Sequence, residues 1–196
     1  MRNALNIIEP DQTEFLDPES EALIEAIGAQ ARNLYLSRQL LCTEAVVETL
    51  NDTLGGGLSK SQVVALTAPF CVALGESGCM CGALSGAVIA CGLFLGDRHP
   101  YRNRKQMRDS ARQLHDEFKS RNGATCCSAL IRKVKNDKDA HFRQCADITE
   151  KAAEMAARKI LKNRPELASR AEKNGLARRQ SFISGAVSRL IRLFSD

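Results

Sequence analysis

Apolar residues recur at intervals of three and four along most of the chain, and no stretch alternates with the period of two that a half-buried strand needs. Asp17-Pro18-Glu19 marks a helix start, with a capping carboxylate, a proline suited to the first turn and early acids favoured by the helix dipole. Ala22, Leu23, Ala26, Ile27 and Leu34 carry that helix to about Arg38. A second runs from Cys42 with Ala45, Val46, Thr49 and Leu50 on one face, and Gly55-Gly56-Gly57 stops it. Ser59 caps a third, from Lys60 to about Ala68, which Pro69 limits. A glycine-containing loop, Gly75 to Gly78, then leads into a helix from about Cys81 to Leu95.

That helix is apolar nearly all round, which predicts a central, buried position. Gly82, Gly86 and Ala90 recur every fourth residue and leave a groove where another backbone can approach. Gly96 and Pro100 end it. Further helices are expected near 102–121, 125–135, 139–163, 165–174 and 178–194. The predicted fold is all-α, a single-domain helical bundle around the central Gly/Cys-rich apolar helix. Its expected divisions are an acidic lead-in at 1–17, a cysteine-rich helical domain at 18–163 and a basic amphipathic extension at 164–196.

Composition agrees with a globular chain, since 44% of residues are apolar and 26% charged. Trp is absent and aromatics are scarce, so the core must be built from Leu, Ile, Val, Ala and Cys. The acidic N-terminal stretch has no apolar run of signal-peptide type, and Cys79–Leu95 reads as a core helix rather than a membrane span. The expected location is cytoplasmic. Charge is divided unevenly. Residues 1–97 hold 4 basic and 12 acidic side chains, and residues 98–196 hold 24 and 11. A basic second half fits an acidic partner or an anionic membrane surface, or simply solvated helix faces. Arg178–Phe194 could equally pack on its own bundle or on a second subunit as a homo-oligomer. Nucleic acid is disfavoured because no binding motif is present.

The 8 cysteines change the picture most. In a reducing compartment a structural disulfide framework is not expected, so metal binding or redox chemistry leads. Cys42 opens a helix on its apolar face, and Cys81 opens the central helix. Cys127 shares a stripe with Leu130, Ile131 and Val134, and Cys145 shares one with Ile148, Thr149 and Ala152. These four thiols come from four separate elements and meet only if the tertiary fold brings them together. A helix N-terminus favours thiolate over thiol, which singles out Cys81, and glycines at 78, 82 and 86 leave room for a bulky group. Four thiolates suit an iron–sulfur cluster or structural zinc, and the spacing alone does not choose between them. His141 lies four residues before Cys145, a spacing that permits joint metal binding, although a solvent-facing histidine beside a core cysteine is the favoured expectation.

The ordered set of Cys42 in LLCTEAVVETLN, the run GCMCGALSGAVIACGLFLG, Cys127 in NGATCCSALI and Cys145 in HFRQCADITEKAA resembles the C-GCAxxG-C-C family of redox-active proteins. A related domain occurs in split-Soret cytochrome c. The most specific element is CGALSG at Cys81–Gly86, similar to the family's CGAxxG, and the resemblance spans roughly residues 20–160. It implies a helical fold and makes Cys42, Cys81, Cys127 and Cys145 the core cysteines. Cys127 is preferred to Cys126 because the family's cysteine is followed three residues later by Leu, here Leu130. An iron–sulfur centre is implied, with 2Fe–2S favoured. Cys71, Cys79, Cys91 and Cys126 are additions to that quartet, with Cys79, Cys126 and Cys91 as auxiliary or redox thiols.

Three functions follow as expectations. The first is a redox or electron-transfer protein with a cysteine-ligated iron–sulfur centre, serving a redox partner protein. The second is a thiol–disulfide relay or sensor without metal, and the third is a zinc-stabilised helical adaptor.

Overall fold

A computed structural model describes residues 16–171 apart from residues 98 and 100. The expected lead-in, save residues 16 and 17, and the helix expected at 178–194 lie outside the described residues. Among those described, all regular structure is helical and no strand occurs.

The elements are α1 (Pro18–Leu36), α2 (Cys42–Leu54), α3 (Lys60–Thr67), α4 (Cys71–Glu76), α5 (Gly82–Leu95), α6 (Arg104–Asn122), α7 (Cys127–Leu130) and α8 (Lys138–Asn163). Local chemistry accounts for their limits. The Asp17 side chain accepts the Ser20 N–H at 2.9 Å, and Gly55 closes α2 in the left-handed conformation at φ 73°. Ser59 and Gln62 form a reciprocal cap on α3. The helix expected at 125–135 is much shorter, because only Cys127–Leu130 is helical and residues 131–136 continue as turns.

Most buried side chains of the described residues join one core, and Leu34, Leu40 and Ala45 form a smaller one beside Tyr35 and Val64. Ile24, Ile27 and Ala31 of α1 meet Ala152, Ala153, Ala156, Ala157 and Ile160 of α8; α1 also packs on α2, and α8 on both α2 and α5. Alanines on α8 let the helices approach closely. Arg158 holds Glu21 in a two-pronged ion pair, with Nη2 to Oε2 at 2.7 Å, and Arg32 pairs with Asp147 further along. Leu167 and Ala171, beyond the boundary expected at 163, are buried in the same core. No helix of the described residues is long and apolar enough to cross a membrane.

The α2–α5 crossing positions the site. A Cβ on Gly86 would meet the Thr43 carbonyl oxygen and Val46 Cβ at 3.0 Å, so the groove expected on α5 is filled by α2 itself. Thr43 Oγ1 donates to the Gly82 carbonyl at 2.9 Å inside this contact.

Between α3 and α5 the chain departs from sequence expectation. A 3₁₀ turn at Ala68–Phe70 is followed by α4, in which Val72, Ala73, Leu74 and Gly75 all have φ between 52° and 61°. A left-handed turn costs about 1–2 kcal/mol for each non-glycine residue, and a β-branched valine is among the least suited to it. Complete burial of Ala73 and a 2.6 Å bond from Ser77 Oγ to the Ala73 carbonyl help to hold it.

Two glycines on α5 should respond oppositely to alanine. Gly92 has nothing within 4 Å of a new Cβ, so Gly92→Ala should add about 0.5–1 kcal/mol through helix propensity. Gly86→Ala gains the same propensity but must push α2 aside, and should lose about 1–2 kcal/mol net. Urea unfolding of both variants measures the pair.

Candidate functional site

Cys42, Cys81, Cys127 and Cys145 line one small cavity of about 20 Å³, together with Ala83, Leu130, Ile131, Ile148 and Thr149. Each thiol arrives on a different element. Cys42 is the first residue of α2, Cys81 caps α5, Cys127 opens α7 and Cys145 lies two turns into α8. The walls are otherwise apolar save for the Thr149 hydroxyl, which donates back to the Cys145 carbonyl at 2.8 Å.

Backbone contacts set the register of these elements. The Cys81 N–H donates to the Thr125 carbonyl at 2.8 Å, and the Ser128 N–H donates to the Gly78 carbonyl at 3.1 Å. Gln144 of α8 donates to the Leu130 carbonyl at 2.8 Å and ties α7 down. Gly82 is required because a Cβ there would stand 2.5 Å from the Cys42 sulfur. Gly78, at φ 91°, supplies a turn that favours glycine. Gly82 and Gly86, expected as room for a bound group, thus face the Cys42 sulfur and the α2 backbone, while Gly78 pairs with α7.

The thiols stand in two hydrogen-bonded pairs, Cys42 with Cys71 and Cys81 with Cys127. The Cys81 hydrogen bond lowers Cys127 to about 7 against the opposing effect of burial, with help from the Gly82 N–H. Cys42 in the same way lowers Cys71 to about 7. The partners Cys81 and Cys42 are pushed up, first by these hydrogen bonds and then by burial. Burial raises Cys145 to about 11, although the Tyr35 hydroxyl hydrogen-bonds it. The thiolate expected on Cys81 is therefore favoured on its neighbour Cys127, because both sulfurs share the same helix end and only one gains the charge.

Cys71 and Tyr35 are the members that sequence reasoning did not place here. The strained α4 turn delivers Cys71, and no helical pattern could reveal that. Tyr35 follows the inward Leu34 at the end of α1, and its hydroxyl reaches Cys145 across the α1–α8 contact.

The auxiliary cysteines go elsewhere. Cys79 and Cys126 form a disulfide, contrary to the expectation that no structural bridge would occur. It joins the two loops that carry Cys81 and Cys127, at an exposed position on the Cys79 side. Cys91 is buried between α5 and α6, about 15 Å along the helix from Cys81, where burial raises it to about 12. His141 opens onto a different pocket, lined also by Tyr35 and Phe142. Among the described residues no three His, Cys, Asp or Glu side chains already stand in a metal-holding arrangement.

The disulfide closes a loop of 47 residues, which by loop-closure entropy stabilises the fold by about 4 kcal/mol. Cys126→Ser should lower unfolding free energy by about 2–4 kcal/mol while leaving helix content unchanged. Urea titration followed by circular dichroism measures both quantities.

Residues 40–159, more than half of the chain and a span holding all 8 cysteines, match a family model described as "Putative redox-active protein (C_GCAxxG_C_C)". No curated protein and no solved structure matches the chain. The match, the helical fold and the gathered cysteines agree, and the chain belongs to the C_GCAxxG_C_C family, whose redox character its thiol chemistry supports.

Proposed function

We propose that the protein is a redox or electron-transfer component whose centre is an iron–sulfur cluster held by Cys42, Cys81, Cys127 and Cys145. One observation carries this reading: four elements remote in sequence deliver four thiols to a single apolar cavity with no carboxylate or imidazole in its lining. An all-sulfur donor set of four is what iron–sulfur clusters use, and it disfavours hard cations such as Mg²⁺ or Ca²⁺. A cluster bound there would supply a one-electron couple. The chain's own residues exclude water through Ala83, Leu130, Ile131 and Ile148, and Tyr35 aims a hydrogen bond at the Cys145 sulfur. Such contacts tune a cluster's potential. The electron partner would be another redox protein, and the basic second half of the chain suits an acidic one.

A second reading rests on the pairing of the thiols. Cys81 and Cys127 are hydrogen-bonded to each other, so they could form a disulfide, giving two electrons and two protons to a partner disulfide that becomes a dithiol. The Cys79–Cys126 bond between the same two loops shows that they can be bridged.

Protein purified without oxygen should carry about two iron and two sulfide per chain, with visible absorption. Serine at any of the four cavity cysteines should remove most of the iron, whereas Cys91→Ser should not. An absence of iron and sulfide, with two thiols lost reversibly on oxidation, would establish the second reading in place of the first.

A further inference from the structure

Beside the cysteine centre lies a separate pocket of about 420 Å³, between the end of α1 and the starts of α2 and α8. This volume lies within the range of small-molecule sites. Tyr35 and Phe142 stack in its wall, with ring centroids 5.1 Å apart and an interplanar angle of 29°. The Arg38 guanidinium lies 5.0 Å from the Phe142 centroid. Lys138 and His141 complete the polar side.

The charge balance of this pocket is one-sided. Arg38 and Lys138 both line it, and Glu44 is its only lining carboxylate. Glu44 is already engaged, since its Oε2 accepts the Leu41 N–H at 2.8 Å. Asp137, just outside the lining, is spent in capping α8 through the Asp139 and Ala140 N–H groups. The N-termini of α2 and α8 border the recess beside the C-terminus of α1, and both N-termini are already capped by the Glu44 and Asp137 carboxylates.

Arg38 carries the argument further. It is the residue after the α1 C-cap and sits at φ 57°, a place where helices ordinarily use glycine. An arginine held there at a backbone cost puts a guanidinium over the aromatic wall, where it pairs with no described carboxylate.

We propose that this pocket binds a small organic anion with a flat unsaturated body, its carboxylate-like head on Arg38 and Lys138 and its ring against Tyr35 and Phe142. The ligand lies one side chain from the thiol centre, because the Tyr35 hydroxyl hydrogen-bonds Cys145. The proposal rests on the pocket alone and holds whichever redox chemistry the cysteines perform.

The test uses 2-naphthoate as the probe, with neutral 2-naphthamide as its uncharged counterpart, titrated calorimetrically into the full chain. Saturable binding of one 2-naphthoate per chain is expected, about tenfold or more tighter than 2-naphthamide, the margin of a charge-assisted hydrogen bond. Arg38→Gly relieves the backbone at a glycine-favouring position, so the variant should keep its helical circular dichroism and cooperative melting yet bind about tenfold more weakly. Lys138→Gln should weaken binding in the same direction, and Lys105→Gln, on the separate recess at the start of α6, should leave it unchanged. No saturable binding of 2-naphthoate, equal binding of the amide, or an unaltered affinity in folded Arg38→Gly overturns the proposal. None of these outcomes depends on iron content, so failure here is separable from failure of the cluster reading.

Discussion

The structure depends on how closely α2 can approach α5. Without a side chain at Gly82 or Gly86, the start of α2 lies directly on α5, with Thr43 bonded to the Gly82 carbonyl and the Cys42 sulfur over Gly82. A methyl group at Gly82 would displace that sulfur from the cavity it shares with Cys81. The small residues thus perform two tasks at once. They permit dense helix packing, as in any well-ordered core, and they fix one thiol against the element that carries another.

The same economy appears at the α5 N-terminus. Cys81 ends the loop at the cap, and the loop is fastened to α7 and the segment before it by two backbone hydrogen bonds and the Cys79–Cys126 disulfide. Cys81 and Cys127 are therefore held face to face by a strapped pair of loops rather than by rigid helices. Their two sulfurs compete for one favourable helix end. The hydrogen bond between them, burial and mutual repulsion allow only one to hold charge easily, and each sulfur also meets a backbone N–H, of Gly82 at Cys127 and of Leu84 at Cys81. A centre built this way is asymmetric before anything binds to it.

Around this centre the walls differ in character. Towards α7 and α8 they are aliphatic, from Leu130, Ile131 and Ile148. Beyond that lining, on the α1 side, stands Tyr35, whose hydroxyl meets Cys145 and whose ring meets Phe142 in the cationic recess. The residue that reaches Cys145 from this side thus also lines the neighbouring pocket.

Much of the fold was legible in the sequence because helices are encoded locally. The Asp17-Pro18 start, the Gly55–Gly57 stop, the Ser59 cap and the apolar character of α5 each act within a few residues, and each element lies close to where these signals put it. The inward faces of Cys42 and Cys145 followed from the same periodicity. Tertiary structure alone decided which thiols meet. Cys71 reaches Cys42 through a left-handed turn containing Val72, which local preference argues against, so only burial of Ala73 and the surrounding packing can hold it. Cys126 and Cys127 are adjacent and chemically identical, yet one faces Cys79 and the other Cys81, a division made by the register of two loops rather than by any pattern along the chain. Helical spacing is a property of neighbours in sequence. The pairing of sulfurs is a property of neighbours in space, set by where the glycines let helices touch.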